Sequence, residues 1–153
     1  MIFTQITFGA FTSGLDAGKI YQTWPLMGSN YLPNDLTFHK LGTIFEFGNH
    51  SLVQFYHRNL AYFISLYIFF LVFLVYKSKL QKLYSPMFLL LAILSIQIIL
   101  GILTLISGLN ILIAASHQIS SVILVLSSLN SVSYTHLRAH ETSLHLVCRL
   151  LLE

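Results

Sequence analysis

Two histidines, His57 and His117, lie inside strongly apolar stretches of the sequence. His57 is about five residues past Leu52, roughly 8 Å along a helix at about 1.5 Å per residue, and His117 is about seven residues past Asn110, roughly 10 Å. If both helices enter the membrane from the same side, the two imidazoles lie at matching depth. A facing pair of imidazoles is a ligand set for a six-coordinate heme iron.

The neighbours of the two histidines are compatible with a flat macrocycle. Small residues lie three and four positions from His117, on the same helix face: Ala114, Ser120 and Ser121. Arg58 follows His57, and its guanidinium can pair with a heme propionate through a charge-assisted fork. The alternative is that each histidine only forms a hydrogen bond to a neighbouring helix, as polar side chains do in membrane proteins.

The composition is that of a membrane protein. The chain has 153 residues, of which 56% are hydrophobic and only 8% are charged, whereas soluble domains have about 25% charged residues. The net charge of +3 is small and scattered, which argues against a nucleic-acid partner. The single Cys148 excludes an internal disulfide.

The apolar stretches predict an all-α membrane protein in which a transmembrane four-helix bundle occupies residues 1–130. The helices are expected at about residues 2–17, 53–76, 86–107 and 111–129. The first is shorter than the ~20 residues that a span needs, so it is expected to lack its beginning. The loop after the second helix contains Lys77, Lys79 and Lys82 and no acid, which places it on the cytoplasmic side or its mitochondrial equivalent.

Residues 131–153 differ from the rest of the chain because they are short of long apolar runs. The segment VSYTHLRAHETSLHLVCRLLLE resembles a translated sequencing-adapter peptide, so we expect this tail to be non-native and to pack against nothing. Its His136 and His140 have the i, i+4 spacing of a helical zinc site, but no third ligand is evident. His39 and His50 are interpreted as solvated loop residues.

Three other features have plain structural interpretations. Asp16 is expected to mark the end of the first helix, with Lys19 as its counter-ion. Gly14 and Gly18 form a GxxxG spacing, which is a weak indication of close helix packing. Gln97 and Gly101 in the third helix are interpreted as packing residues.

Three motifs resemble one family. The stretches QITFGAFTSGLDAGKIYQTWPLM at 5–27, LVQFYHRNLAY at 52–62 and QIILGILTLISGLNILIAASHQ at 97–118 resemble the C-terminal half of heme A synthase, in its alphaproteobacterial and mitochondrial form. The resemblance implies an eight-helix fold of two similar four-helix halves. It implies that His57 and His117 hold a heme b cofactor, in a chain located in the bacterial plasma membrane or, alternatively, the mitochondrial inner membrane.

The family oxidises a ring methyl of heme O to the formyl group of heme A, and its substrate site belongs to the N-terminal half. The resemblance therefore implies heme O as substrate, an electron donor, and contact with heme O synthase or a second copy in the lipid bilayer. Because this chain resembles only the other half, we expect it to be inactive alone, with catalytic residues that its sequence does not reveal.

Two other functions are open to a chain of this kind. A cytochrome b-type electron-transfer subunit would bind heme without catalysis of its own, but that class often places four histidines on two helices, and here each of the two ligating helices has one. A transporter fragment would need helices interrupted by glycine or proline, and the second to fourth spans are continuous.

Overall fold

The computed structural model describes residues 1–35 and 45–150, with residues 135–150 as backbone only. These residues form four α-helices, and two short 3₁₀ turns, Ala17–Lys19 and Gln81–Leu83, lie in the connections between them. The helices are α1 (Ile2–Gly14), α2 (His50–Lys77), α3 (Tyr84–Ile106) and α4 (Ile111–Leu150). No β-strand occurs in this part of the chain, so the predicted all-α class is confirmed.

Three segments of the described chain are long and apolar enough to cross a membrane: His50–Lys77, Gln81–Ile106 and Ile111–Tyr134. Helix α1 has 13 residues, fewer than the ~20 that cross a bilayer. It ends at Gly14 instead of the predicted residue 17, because Asp16 adopts a left-handed conformation with φ of 53°. Multi-pass membrane insertion therefore rests on α2, α3 and α4.

The start of α2 is fixed by a side-chain cap. The Asn49 Oδ1 atom accepts a hydrogen bond from the Leu52 backbone N–H over 3.1 Å, which satisfies one of the free donors of the first turn. The helix consequently begins at His50, ahead of the predicted position 53. His50 is therefore an exposed first-turn residue of α2 and not a loop residue.

The helices associate in sequence order. Close contacts join α1 to α2, α2 to α3, and α3 to α4. The buried apolar core is a five-residue cluster contributed by α2, α3 and α4: Ile64, Ile68, Leu90, Leu94 and Leu124. Many large apolar side chains outside this cluster are exposed, as expected for helix faces that meet lipid.

Helix α4 continues past the predicted boundary at residue 130. Ser131 is only 2% exposed, and its hydroxyl donates to the Pro86 backbone oxygen over 3.3 Å. The prediction that residues from 131 onward contact nothing in the bundle is therefore wrong at Ser131, because that position faces the start of α3. For residues 135–153, whose side chains lie outside the described part, it stays a prediction.

Candidate functional site

The His57 side chain lies against α1. The Gln5 Nε2 amide donates to Nδ1 of His57 over 3.1 Å and also to the His57 backbone oxygen over 3.1 Å. Gly9 lies one turn further along α1, and a Cβ atom there would come within 3.2 Å of the imidazole Cε1. The imidazole therefore packs directly on the backbone of α1, where a glycine leaves room for it.

The His117 side chain lies against α3 in a similar way. Its Nδ1 atom is 3.1 Å from the Gln97 backbone oxygen, and a Cβ atom on Gly101 would come within 3.0 Å of its Cε1. The Ser120 hydroxyl, one turn along α4, donates to the Gln97 side-chain oxygen. Each histidine thus meets a glycine, and a glutamine four positions before it, on the preceding helix.

Both histidines lie near the same end of the bundle. We call it the loop end; it carries residues 15–35 and 45–49 and the turn between α3 and α4. Gly18 and Leu109 meet there, since a Cβ on Gly18 would be 2.8 Å from a Leu109 methyl. At about 1.5 Å per residue, His57 is roughly 10 Å from the start of α2 and His117 roughly 9 Å from the start of α4.

The residues at this level fit a heme held by two imidazoles. A carbonyl oxygen only accepts hydrogen bonds, so the contact with Gln97 places the proton of neutral His117 on Nδ1 and leaves the Nε2 lone pair for a metal. The half-buried neighbours Ala61, Ala114 and Ser121 are small. The apolar core lies deeper in the bundle, below both histidines.

Arg58 is held by the connection between α1 and α2. Its guanidinium donates to the Tyr21 backbone oxygen over 2.9 Å and to the Leu26 backbone oxygen over 3.3 Å. The Gln54 amide also donates to Tyr21 O, over 2.9 Å. These bonds use part of the five-donor guanidinium and fix its position beside His57.

The Tyr21 side chain secures the same connection. Its hydroxyl donates to the Asp35 carboxylate over 2.8 Å. Burial, together with this hydrogen bond, raises the pKa of Tyr21 above its ordinary value. The neutral, donating form of the hydroxyl is thereby favoured in the folded protein.

The remaining marked residues lie away from this site. Asp16 follows the end of α1 and pairs with Lys19 over 2.9 Å on the surface, as predicted. Gly14 has no neighbour within 4 Å of a Cβ position, so it gives the GxxxG spacing no packing role. His39 lies outside the described residues, as do the side chains of His136 and His140.

Sequence reasoning missed Gln5 and Gly9 as neighbours of His57, and it assigned Gln97 and Gly101 only a packing role. A sequence pattern for both pairs was present, because α1 reads Gln-Ile-Thr-Phe-Gly and α3 reads Gln-Ile-Ile-Leu-Gly. The Gln-x₃-Gly pattern occurs twice, each time on the helix that precedes a histidine-bearing helix. A comparison of the two halves of this sequence with each other could have found it.

The comparison with known families agrees with the resemblance predicted from the three motifs. The sequence profile of a family described as cytochrome oxidase assembly protein matches residues 1–129. The chain belongs to this family. The matched range includes both histidines and the four residues that contact them: Gln5, Gly9, Gln97 and Gly101.

Individual relatives carry a more specific name. The chain is 46% identical over 134 residues to a protein named heme A synthase from Pelagibacter ubique (strain HTCC1062), a match that covers 88% of this chain and 39% of that protein. It is 43% identical over 143 residues to heme A synthase from Wolbachia pipientis wMel, covering 94% and 39%. The chain thus spans about two fifths of the length of these relatives. No solved structure matches it.

Proposed function

We propose that this chain is the heme b-binding half of an enzyme of heme A biosynthesis, with His57 and His117 as the two axial ligands of the heme iron. The observation that carries the proposal is the pair of half-buried imidazoles at matching depth on α2 and α4. The name of the relatives, heme A synthase, supplies the reaction context. Histidines inside a membrane span are rare and mark functional sites, and iron ligation would account for both.

The chain's own residues would hold the cofactor as follows. His57 and His117 would hold the heme iron, and the N–H groups of Arg58 that are not bonded to Tyr21 or Leu26 would pair with a propionate. When bound, the heme supplies one-electron redox chemistry. The apolar core below the site keeps water away from the inner side, and the docked connection covers the loop end.

The proposed reaction of the whole enzyme is oxidation of a methyl group of heme O to the formyl group of heme A. An electron donor is then required, and contact with heme O synthase or with a second copy is part of the proposal. The proposed location is the bacterial plasma membrane, with the cytoplasmic side at the Lys77–Lys82 loop. On this proposal the chain alone binds heme but does not convert heme O.

The two-heme cytochrome b arrangement is less well supported. His50 does join His57 on α2, but it lies at the exposed first turn, on the same side of the membrane. Residues 58–77 of α2 contain no histidine. A second heme at the opposite side would therefore lack a ligand from this helix.

The test is heme binding by purified protein in detergent after reconstitution with heme b. Two imidazole ligands are strong-field, so the reduced protein should show the sharp bands of a low-spin b-type cytochrome. His57→Ala and His117→Ala should each abolish or convert the low-spin signal, because one remaining imidazole leaves the iron five-coordinate. His50→Ala, which removes an exposed histidine of the same helix, is the matched control and should leave the spectrum unchanged.

Two results would overturn the proposal. One is folded wild-type protein that takes up no heme under these conditions. The other is a His57→Ala variant that keeps the low-spin spectrum of the wild type. In either case, hydrogen bonding between helices would be the better explanation of the two histidines.

A further inference from the structure

The two histidine sites share one construction. In each, a helix carrying Gln-x₃-Gly lies before a helix carrying a histidine, and the imidazole contacts both marked residues: Gln5 and Gly9 on α1 for His57, and Gln97 and Gly101 on α3 for His117. We infer that these two Gln-x₃-Gly segments are positioning elements that set the orientation and the tautomer of the heme-ligating imidazoles. This inference rests on the proposed function.

The glycines leave room for the imidazole rings because they have no side chain. A Cβ at Gly101 would lie 3.0 Å from Cε1 and 3.4 Å from Nδ1 of His117, and a Cβ at Gly9 would lie 3.2 Å from Cε1 of His57. Contacts of 3.0–3.4 Å are tighter than nine in ten real Cβ contacts, so alanine at either position requires the ring to move by a few tenths of an ångström. Because an axial ligand must reach the iron with its ring plane at a set angle, a displaced imidazole changes the ligand field or loses the iron.

At the His117 site, the glycine also exposes a hydrogen-bond acceptor. In an α-helix the carbonyl of residue i points toward residue i+4, so a side chain at position 101 would shield the Gln97 oxygen. With glycine there, His117 Nδ1–H donates to that oxygen over 3.1 Å. The Gln97 side chain accepts from Ser120, which ties α3 to α4 one turn from the histidine. This arrangement leaves Nε2 as the only lone pair available for a metal.

At the His57 site, a glutamine side chain contacts Nδ1 where a backbone oxygen does so at His117. The Gln5 amide nitrogen lies 3.1 Å from Nδ1 and 3.5 Å from Nε2 of His57. With the shorter contact as the hydrogen bond, Nδ1 accepts and neutral His57 carries its proton on Nε2, the nitrogen that would bind iron. The Gln5 Oε1 atom is buried and has no hydrogen-bond partner in the described structure. Turning the amide so that Oε1 accepts from Nδ1–H would give His57 the same tautomer as His117 and would provide the orphaned acceptor with a donor.

When heme b binds, the Gln5 amide should therefore turn in this way. The turn breaks the present bond from the Gln5 amide N–H to the His57 backbone oxygen. Partners of this kind that orient a ligating histidine typically contribute 10–100-fold to metal affinity. A hydrogen-bonded Nδ1–H also makes the imidazole a stronger electron donor to iron. Removing the acceptor at Gln5 should then raise the reduction potential of the heme.

The experiment uses the full chain reconstituted with heme b and compares the variants Gln5→Leu, Gly9→Ala and Gly101→Ala. Each should weaken heme binding by about 10–100-fold. The ferric low-spin electron paramagnetic resonance signal should shift in the two alanine variants, because that signal responds to the imidazole planes. Gln5→Leu should raise the midpoint potential, and Gln5→Glu, which restores an acceptor, should reverse that rise.

Matched controls lie on the same helices or beside the same histidine. Gly14→Ala on α1 adds a methyl group where nothing lies within 4 Å, and Gln118→Leu replaces an exposed glutamine next to His117. Neither should change heme affinity, the resonance signal or the potential. Thermal melting of each heme-free variant identifies any variant that fails to fold. Gln5→Leu adds no bulk against a backbone, so it still tests the positioning role if the alanine variants do not fold.

Nuclear magnetic resonance of isotope-labelled histidine in heme-free protein provides a readout that needs no cofactor. It should show Nδ1–H at His117 and Nε2–H at His57. The inference is overturned if wild-type protein binds low-spin heme through His57 and His117 while Gln5→Leu, Gly9→Ala and Gly101→Ala all leave affinity, resonance signal and potential unchanged. That outcome leaves the proposed function standing, whereas wild-type protein without heme would remove both.

Discussion

Replacing Leu124 by alanine tests how the helices of this bundle are held together. Leu124 is 6% exposed and belongs to the cluster that joins α4 to Ile64 and Ile68 of α2 and to Leu90 and Leu94 of α3. In a water-soluble core the change costs about 2–5 kcal/mol. Part of that is transfer from water, about 0.8 kcal/mol for each of roughly three carbon groups.

The transfer part should be missing in a bilayer, because lipid tails are as apolar as leucine. What remains is lost packing, so Leu124→Ala should lower the free energy of unfolding by roughly 1–2 kcal/mol, a 5–30-fold change in the ratio of folded to unfolded protein. Equilibrium unfolding in mixed micelles, followed by helical circular dichroism, measures it.

Leu126→Ala is the matched control for this experiment. Leu126 lies on the same helix and is 61% exposed, so its side chain contacts lipid and not another helix. Its truncation should have almost no effect on the free energy of unfolding. Equal losses for Leu124→Ala and Leu126→Ala would show that α4 does not bury Leu124 against α2 and α3, and would refute the packing on which the relative position of His57 and His117 depends.

Three further outcomes are expected. Asn49→Ala removes the cap of α2 and should cost about 1 kcal/mol, measured by the same unfolding assay, with Asn49→Asp retaining most of it. Deletion of residues 135–153 should leave the melting temperature unchanged, whereas deletion from Ser131 onward should lower it, because the bond to Pro86 is lost. The raised pKa of Tyr21 means that its contribution to stability is complete below its unfolded pKa of about 10 and is lost as the pH rises through the folded value. Tyr21→Phe should remove that alkaline dependence, and a melting series across the range checks it.

The sequence alone determined the number of helices, the bounds of α2 and α3 and the depth of the two histidines. Hydropathy and span length are local properties, so the apolar runs before and after residue 80 predicted α2 and α3 to within three residues at their ends. The depth of His57 and His117 followed from counting residues along each helix, because the rise per residue is constant. The three motifs also indicated the family, because each is a contiguous stretch that can be recognised without the fold.

Only the tertiary structure decided what surrounds the histidines. Gln5 reaches His57 across 52 positions of sequence, and Gln97 reaches His117 across 20. Such contacts depend on how each helix is rotated about its axis, and an apolar face directed toward lipid looks the same in the sequence as one directed toward another helix. For the same reason, the burial of Ser131 against Pro86 could not be predicted from composition. Composition indicated only that the long apolar runs end at residue 130.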